Sequence, residues 1–100
     1  MKIFLEKLQY DELLNKICRE EDIGSLILFG SYAREEEQVD SDIDLLVKFS
    51  RSLGMLEFMR IRRRLEDHFN KKVDLFTLPA LSSEMMKNIE KDMKVLYEAS

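Results

Sequence analysis

The chain holds a single cysteine, a single histidine, a single proline, three glycines and no tryptophan. One cysteine excludes an internal disulfide framework, and one cysteine with one histidine falls short of a closed Cys/His zinc site. No apolar run approaches the ~18 residues that a membrane helix needs, and no Lys/Arg-led secretory leader is present, so the expectation is a cytoplasmic protein without a membrane partner. Positive charge is also scarce, with 16 Lys and Arg against 20 Asp and Glu and a net charge of -4. That balance argues against a general grip on nucleic acid, which depends on Lys and Arg neutralising many phosphates. The glycines form neither a Walker-type Gly-x4-Gly-Lys nor a Gly-x-Gly-x-x-Gly, so the common nucleotide-binding loops lose support.

What is present describes one globular domain over residues 1–100. Hydrophobic residues make up 45% and charged residues 36%, and a chain of this size buries roughly 60–68% of its unfolded surface. Leu5, Leu8, Leu14, Ile17 and Cys18 recur at helical spacing and predict a helix from about 4 to 20. Ser25 to Phe29 is a short continuous apolar run that predicts a buried strand feeding a turn at Gly30-Ser31. A short helix is expected from about Tyr32 to Gln38. Asp42 to Phe49 predicts a second strand covered on both faces, and Met55 to Asn70 an amphipathic helix presenting Phe58, Ile61, Leu65 and Phe69. Lys72 to Thr77 predicts a third strand ended by Pro79. A last helix follows, capped by Ser82 or Ser83, with Met86, Ile89, Met93 and Leu96 on one face. The order α-β-α-β-α-β-α is an α/β (α+β) domain built on a small mixed three-stranded sheet flanked by helices.

The segment from Leu28 to Val47 carries the chemistry. Side chains on a strand alternate faces, so Asp42 and Asp44 project together. Paired carboxylates are hard oxygen ligands suited to Mg²⁺ or Mn²⁺, and a two-metal site can activate an attacking oxygen while supporting a leaving one. Asp74, set between Val73 and Leu75 in an otherwise apolar strand, is the best candidate for a third ligand. Metal is essential to this reading, because like charges 4 Å apart repel by ~4 kcal/mol even at an effective dielectric of 20. Gly30 allows close approach of backbone to phosphate, Ser31 offers a hydroxyl, and Arg34 can add a charged fork.

Gly30-Ser31, ten intervening residues and then Asp42-x-Asp44 resemble the signature of the DNA polymerase β-like nucleotidyltransferases, in their minimal (MNT) form. Leu28 to Ser31, Ser41 to Val47, Lys72 to Leu75 and Val95 to Glu98 all look like segments of that family in family order. The resemblance implies that Asp42 and Asp44 hold two Mg²⁺ ions, that Asp74 completes the catalytic metal and helps to deprotonate the acceptor, and that Gly30-Ser31 holds the triphosphate of ATP. It further implies a protein adenylyltransferase antitoxin that transfers AMP to a tyrosine of a cognate HEPN ribonuclease toxin and releases pyrophosphate. Two alternatives stand beside this one: an antitoxin that masks its toxin by binding alone, and a transferase acting on a small hydroxyl compound. One departure from the family is visible. Minimal members usually have glycine after the Ala-Arg pair, where this chain has Glu35, and a left-handed backbone there would strain it.

Other residues have plainer readings. Asp40, Asp42 and Asp44 superficially open an EF-hand loop, but Leu45 and Arg51 stand where that loop needs glycine and glutamate. The arginines from Arg60 to Arg64 read as a solvated helix face with Glu57, Glu66 and Asp67 as intrahelical partners, with docking of a partner as the alternative. His68 reads as a surface or packing histidine and Cys18 as a small core residue. Tyr32, beside the turn, is open to two readings, as a cover for the nucleotide or as packing.

Overall fold

The structure is a computed structural model that describes residues 7–8 and 11–99. The early part of the predicted first helix, Leu5 included, lies outside the described residues. Helix α1 spans Glu12–Glu20. Asp11 starts it by accepting the Leu14 N–H at 2.9 Å, which satisfies one of the donors that a helix start leaves open. Leu14, Ile17 and Cys18 then point inward. The Cys18 thiol is fully buried, and that burial pushes its pKa up to about 12, so it is an inert core group.

Strands β1 (Ile23–Phe29), β2 (Ile43–Phe49), β3 (Val73–Phe76) and β4 (Lys94–Glu98) form one sheet in the order β3-β2-β1-β4. β1 pairs antiparallel with β2 and with β4, whereas β2 and β3 run parallel. Parallel neighbours require a crossover, which helix α2 (Met55–Phe69) supplies. Its turn into β3 uses Asn70 at φ 55, a left-handed position that asparagine tolerates.

The period of two separates the faces of the sheet. Leu26 and Leu28 of β1, Ile43, Leu45 and Val47 of β2, and Val73 and Leu75 of β3 join α1 and α2 in the main core, together with Ile61 and Leu65. On the opposite face, among the described residues, only Phe29 and Leu46 of the sheet and Ile89 of helix α3 (Ser83–Asp92) are buried together. The main core therefore holds the sheet, and the thinly covered face is left with room for polar groups. Truncating a buried leucine such as Leu45 to alanine is a change of about 2–5 kcal/mol.

The α/β class holds, and two local expectations change. The predicted helix from Tyr32 to Gln38 is a single turn. It is closed by bonds from Glu35 N to Tyr32 O (3.3 Å) and from Glu36 N to Ser31 O (2.9 Å), the pair that defines a Schellman ending. At the far end, α3 stops at Asp92 and the chain turns at Met93 into β4, so the sheet has a fourth strand. The spacing of Met86, Ile89, Met93 and Leu96 imitates one helix face, but Val95 to Tyr97 gain more by pairing with the otherwise open edge of β1.

The arginines of α2 also depart from expectation. Arg60 and Arg64 grip Glu21 at 2.8 and 2.7 Å, and Arg64 reaches Glu20 at 2.5 Å, so their partners come from the end of α1. Glu57 is taken by Arg51, and Glu66 accepts the Val73 N–H. His68 packs edge-on to Phe69 and lies 2.8 Å from Asp11, which ties α2 to the start of α1.

Glu21 is buried, and its hydrogen bonds with Arg60, helped by Arg64, outweigh desolvation and hold its carboxyl down at about 2 against an ordinary 4.5. A depressed acid stabilises the fold above its unfolded pKa, and that stability is lost as pH falls from about 4.5 through about 2. Glu21→Gln is expected to destabilise the protein by about 1–2 kcal/mol at pH 7, the arginines being partly solvated. Urea denaturation should show the difference from wild type closing as the pH is lowered across that window.

Candidate active site

β2 carries Asp44 on the thinly covered face, and the parallel register sets it beside Asp74 of β3. Asp42 stands one residue before β2 begins. The first rung of that pairing is the Ile43 N–H donating to Lys72 O at 2.9 Å. The Asp44 carboxyl is pushed up to about 6. Desolvation is the largest cause, followed by the charges of Asp74 and Asp42 and a hydrogen bond with Asp74, with Arg34 opposing them. The chain thus gathers negative charge in a half-buried place where it is unfavourable. Clusters of this kind mark functional sites more often than structural ones.

The turn after β1 is built against the same carboxylate. Gly30 has φ +77, and a Cβ placed there would collide with the Asp44 carboxylate. Glycine is required twice over, by backbone conformation and by space. Gly30, Ser31, Arg34 and Asp44 line a cleft of about 340 Å³ whose other wall is α3, through Met85, Asn88 and Asp92. The structure therefore brings together Gly30, Ser31, Arg34 and Asp44 as predicted. Asp74 joins them through Asp44, and Asp42 is near enough for its charge to be felt. Among the described residues no three carboxylates close on a common point as a ready metal cage; the close pair is Asp44 and Asp74, which Asp42 reaches through its charge.

Arg34 is not idle. Its guanidinium donates to Asp92 at 2.8 Å and lies 3.4 Å from Glu36, so the fork predicted for phosphate is held at the cleft wall. Tyr32 is buried in the main core, which decides for packing. Asn88 and Asp92 escaped sequence reasoning, since polar residues on a terminal helix read as solvent-facing. The available signal was their one-turn spacing, which puts both on one side of Ile89.

Glu35 has φ 60, the left-handed backbone that the glycine of the family pattern would adopt without strain. The turn closes on schedule with a glutamate, at a local strain of about 1 kcal/mol.

Residues 12–100 match the family described as Polymerase beta, Nucleotidyltransferase. A protein of Methanocaldococcus jannaschii, MJ1217, provisionally named a protein adenylyltransferase, is 36% identical over 80 residues, covering 78% of this chain and 82% of the relative. Protein adenylyltransferase MntA of Thermococcus cleftensis is 35% identical over 66 residues, with 66% and 67% covered. Among solved structures, one provisionally described as a minimal nucleotidyltransferase superposes with a TM-score of 0.74 at 28% identity, over 90% of this chain and 93% of that one. A chain from a toxin-antitoxin crystal structure with AMP-PNP gives 0.73 at 22% identity, over 91% and 75%. At that identity the likeness is one of fold.

Two expectations concern stability. Glu35→Gly should raise stability by less than about 1 kcal/mol in urea denaturation, since the strain it relieves is partly offset by the freedom glycine adds to the unfolded chain. A carboxyl whose folded pKa is raised weakens the metal-free fold as pH climbs from about 4 to about 6, and the penalty persists above that. Asp44→Asn should therefore stabilise the metal-free protein by about 1–2 kcal/mol at pH 7.5, after allowance for solvent screening. Below pH 4 the variant and wild type should denature alike.

Proposed function

Since this chain belongs to the polymerase β nucleotidyltransferase family, we propose that it is a protein adenylyltransferase that moves AMP from ATP to a tyrosine of a cognate HEPN ribonuclease toxin. The observation that carries this reading is the contact between phosphate turn and carboxylate pair: Gly30 abuts Asp44, which stands beside Asp74. Relatives named protein adenylyltransferase support the reaction, and the structural likeness to a chain of a toxin-antitoxin complex supports the setting.

The donor set fits Mg²⁺. Asp42, Asp44 and Asp74 offer hard oxygen ligands only, and the mutual repulsion that holds up the Asp44 carboxyl is what a divalent cation would relieve. These three residues would hold two Mg²⁺ ions, or Mn²⁺, which when bound neutralise triphosphate charge and polarise the reacting phosphoryl group. The turn at Gly30 and Ser31 receives the triphosphate tail, and Arg34 exchanges Asp92 for a phosphate oxygen. The tyrosyl oxygen bonds to the α-phosphorus while the bond from that phosphorus to the bridging oxygen of pyrophosphate breaks. Asp74 accepts the tyrosyl proton. A purely masking antitoxin gains nothing from Glu35, because the turn around it forms in full.

Incubation of the pure protein with α-labelled ATP, Mg²⁺ and the protein encoded by the adjacent gene should place label on a tyrosine of that partner. Asp42→Asn should lower transfer by at least about 100-fold, and chelation of Mg²⁺ should abolish it. Absence of label with wild type, or equal label with Asp42→Asn, would sink the proposal.

A further inference from the structure

Asp74 faces a second hollow, on the side of the carboxylate pair away from the phosphate turn. This groove of about 280 Å³ runs between α2 and the edge strand β3, lined by Met55, Phe58, Met59, Arg62, Asp74 and Phe76. Its walls are apolar and open to solvent: Met55 is 72% exposed, Met59 47%, and the adjoining Leu56 86%. Of the other arginines in and beside α2, Arg51 is committed to Asp22 and Glu57, Arg60 to Glu21, and Arg64 to Glu20 and Glu21, while Arg63 is exposed and lies outside the groove lining. Arg62 differs. Its Nε is buried without a hydrogen-bond partner, and no carboxylate pairs with it among the described residues.

The carboxylate pair stands between the two hollows, since Asp44 borders the phosphate-side cleft and its neighbour Asp74 borders this groove. An in-line displacement brings nucleophile and leaving group to opposite sides of the phosphorus. With pyrophosphate leaving toward Gly30 and Ser31, the attacking hydroxyl comes from the Asp74 side. Methionine and phenylalanine walls suit an aromatic ring far better than a small polar alcohol, since thioethers pack adaptably and favourably on aromatic edges. The partly exposed Arg62 guanidinium, with no carboxylate of its own among the described residues, offers its terminal nitrogens to an incoming anionic group.

Resting on the transferase reading above, we infer that this groove docks the acceptor, a segment of a partner protein. Its tyrosine ring packs among Met55, Phe58, Met59 and Phe76, and an acidic side chain beside it pairs with Arg62. Met55, Leu56 and Met59 leave more exposed apolar surface at the start of α2 than a free small molecule would cover, which favours a protein.

The experiment uses the full chain, Mg·ATP and the protein encoded by the adjacent gene. Arg62→Ala and Met59→Ser should each raise the KM for that protein by about tenfold, with kcat within about twofold and Mg·ATP affinity by calorimetry unchanged. Arg62→Lys, which keeps the charge, should stay within about threefold of wild type. Val95→Ser, on the opposite edge strand β4, should behave as wild type. An acceptor KM unaltered in both groove variants would overturn the inference, as would a parallel loss of Mg·ATP affinity, which would place these residues in the nucleotide site. Should wild type transfer no AMP at all, the transferase reading fails by itself. The groove is then judged by calorimetric binding of the same protein without ATP: about tenfold weaker binding by Arg62→Ala supports it, and undiminished binding overturns it.

Discussion

The parallel register of β2 on β3 forces Asp44 and Asp74 to be neighbours, and the rest of the molecule is arranged around that enforced closeness of like charges. A sheet cannot relieve the conflict by sliding, since a one-residue slip would turn the apolar residues Ile43, Leu45 and Val47 out of the main core. Hydrophobic burial on one face thus holds electrostatic tension on the other. Gly30 completes the arrangement, because its missing side chain is the space that the Asp44 carboxylate occupies.

The arginines divide along the same line. Arg60 and Arg64 neutralise the buried Glu21 and fasten α2 to the end of α1, which fixes the helix that crosses between the two parallel strands. Arg34 and Arg62 stand instead beside the two hollows that flank the carboxylates. Salt bridges far from the chemistry therefore hold the crossover whose two ends position it. Such coupling between a charged scaffold and a charged site is economical in so small a chain.

Strands β1 to β3 were legible because each is a short apolar run ended by a turn residue, and the candidate aspartates were legible because charge inside such runs needs a reason. Legibility failed where the deciding partner was distant in sequence. The helix-like spacing from Met86 to Leu96 could not reveal that β1 had an open edge waiting for Val95 to Tyr97. Nor could the charges on α2 show that Glu21, lying 39 positions before Arg60, would outcompete Glu57. Asn88 and Asp92 became site residues only when α3 folded back over Phe29 and Leu46. Glu35 is the instructive middle case: the sequence marked the position, and the left-handed backbone there shows that the turn tolerates what glycine would have done more easily.

The late strand has a consequence for how the molecule is made. β4 anchors the far end of α3 to β1, so the cleft wall bearing Asn88 and Asp92, already resting on Phe29 and Leu46 through Ile89, is pinned at its second end once residues 94–98 have been added. On the ribosome, where chains acquire structure from the amino end, the phosphate turn and the acidic pair would emerge with one side of their cleft still missing. Closure of the cleft is then tied to the pairing of β4 with β1 rather than built up gradually during synthesis.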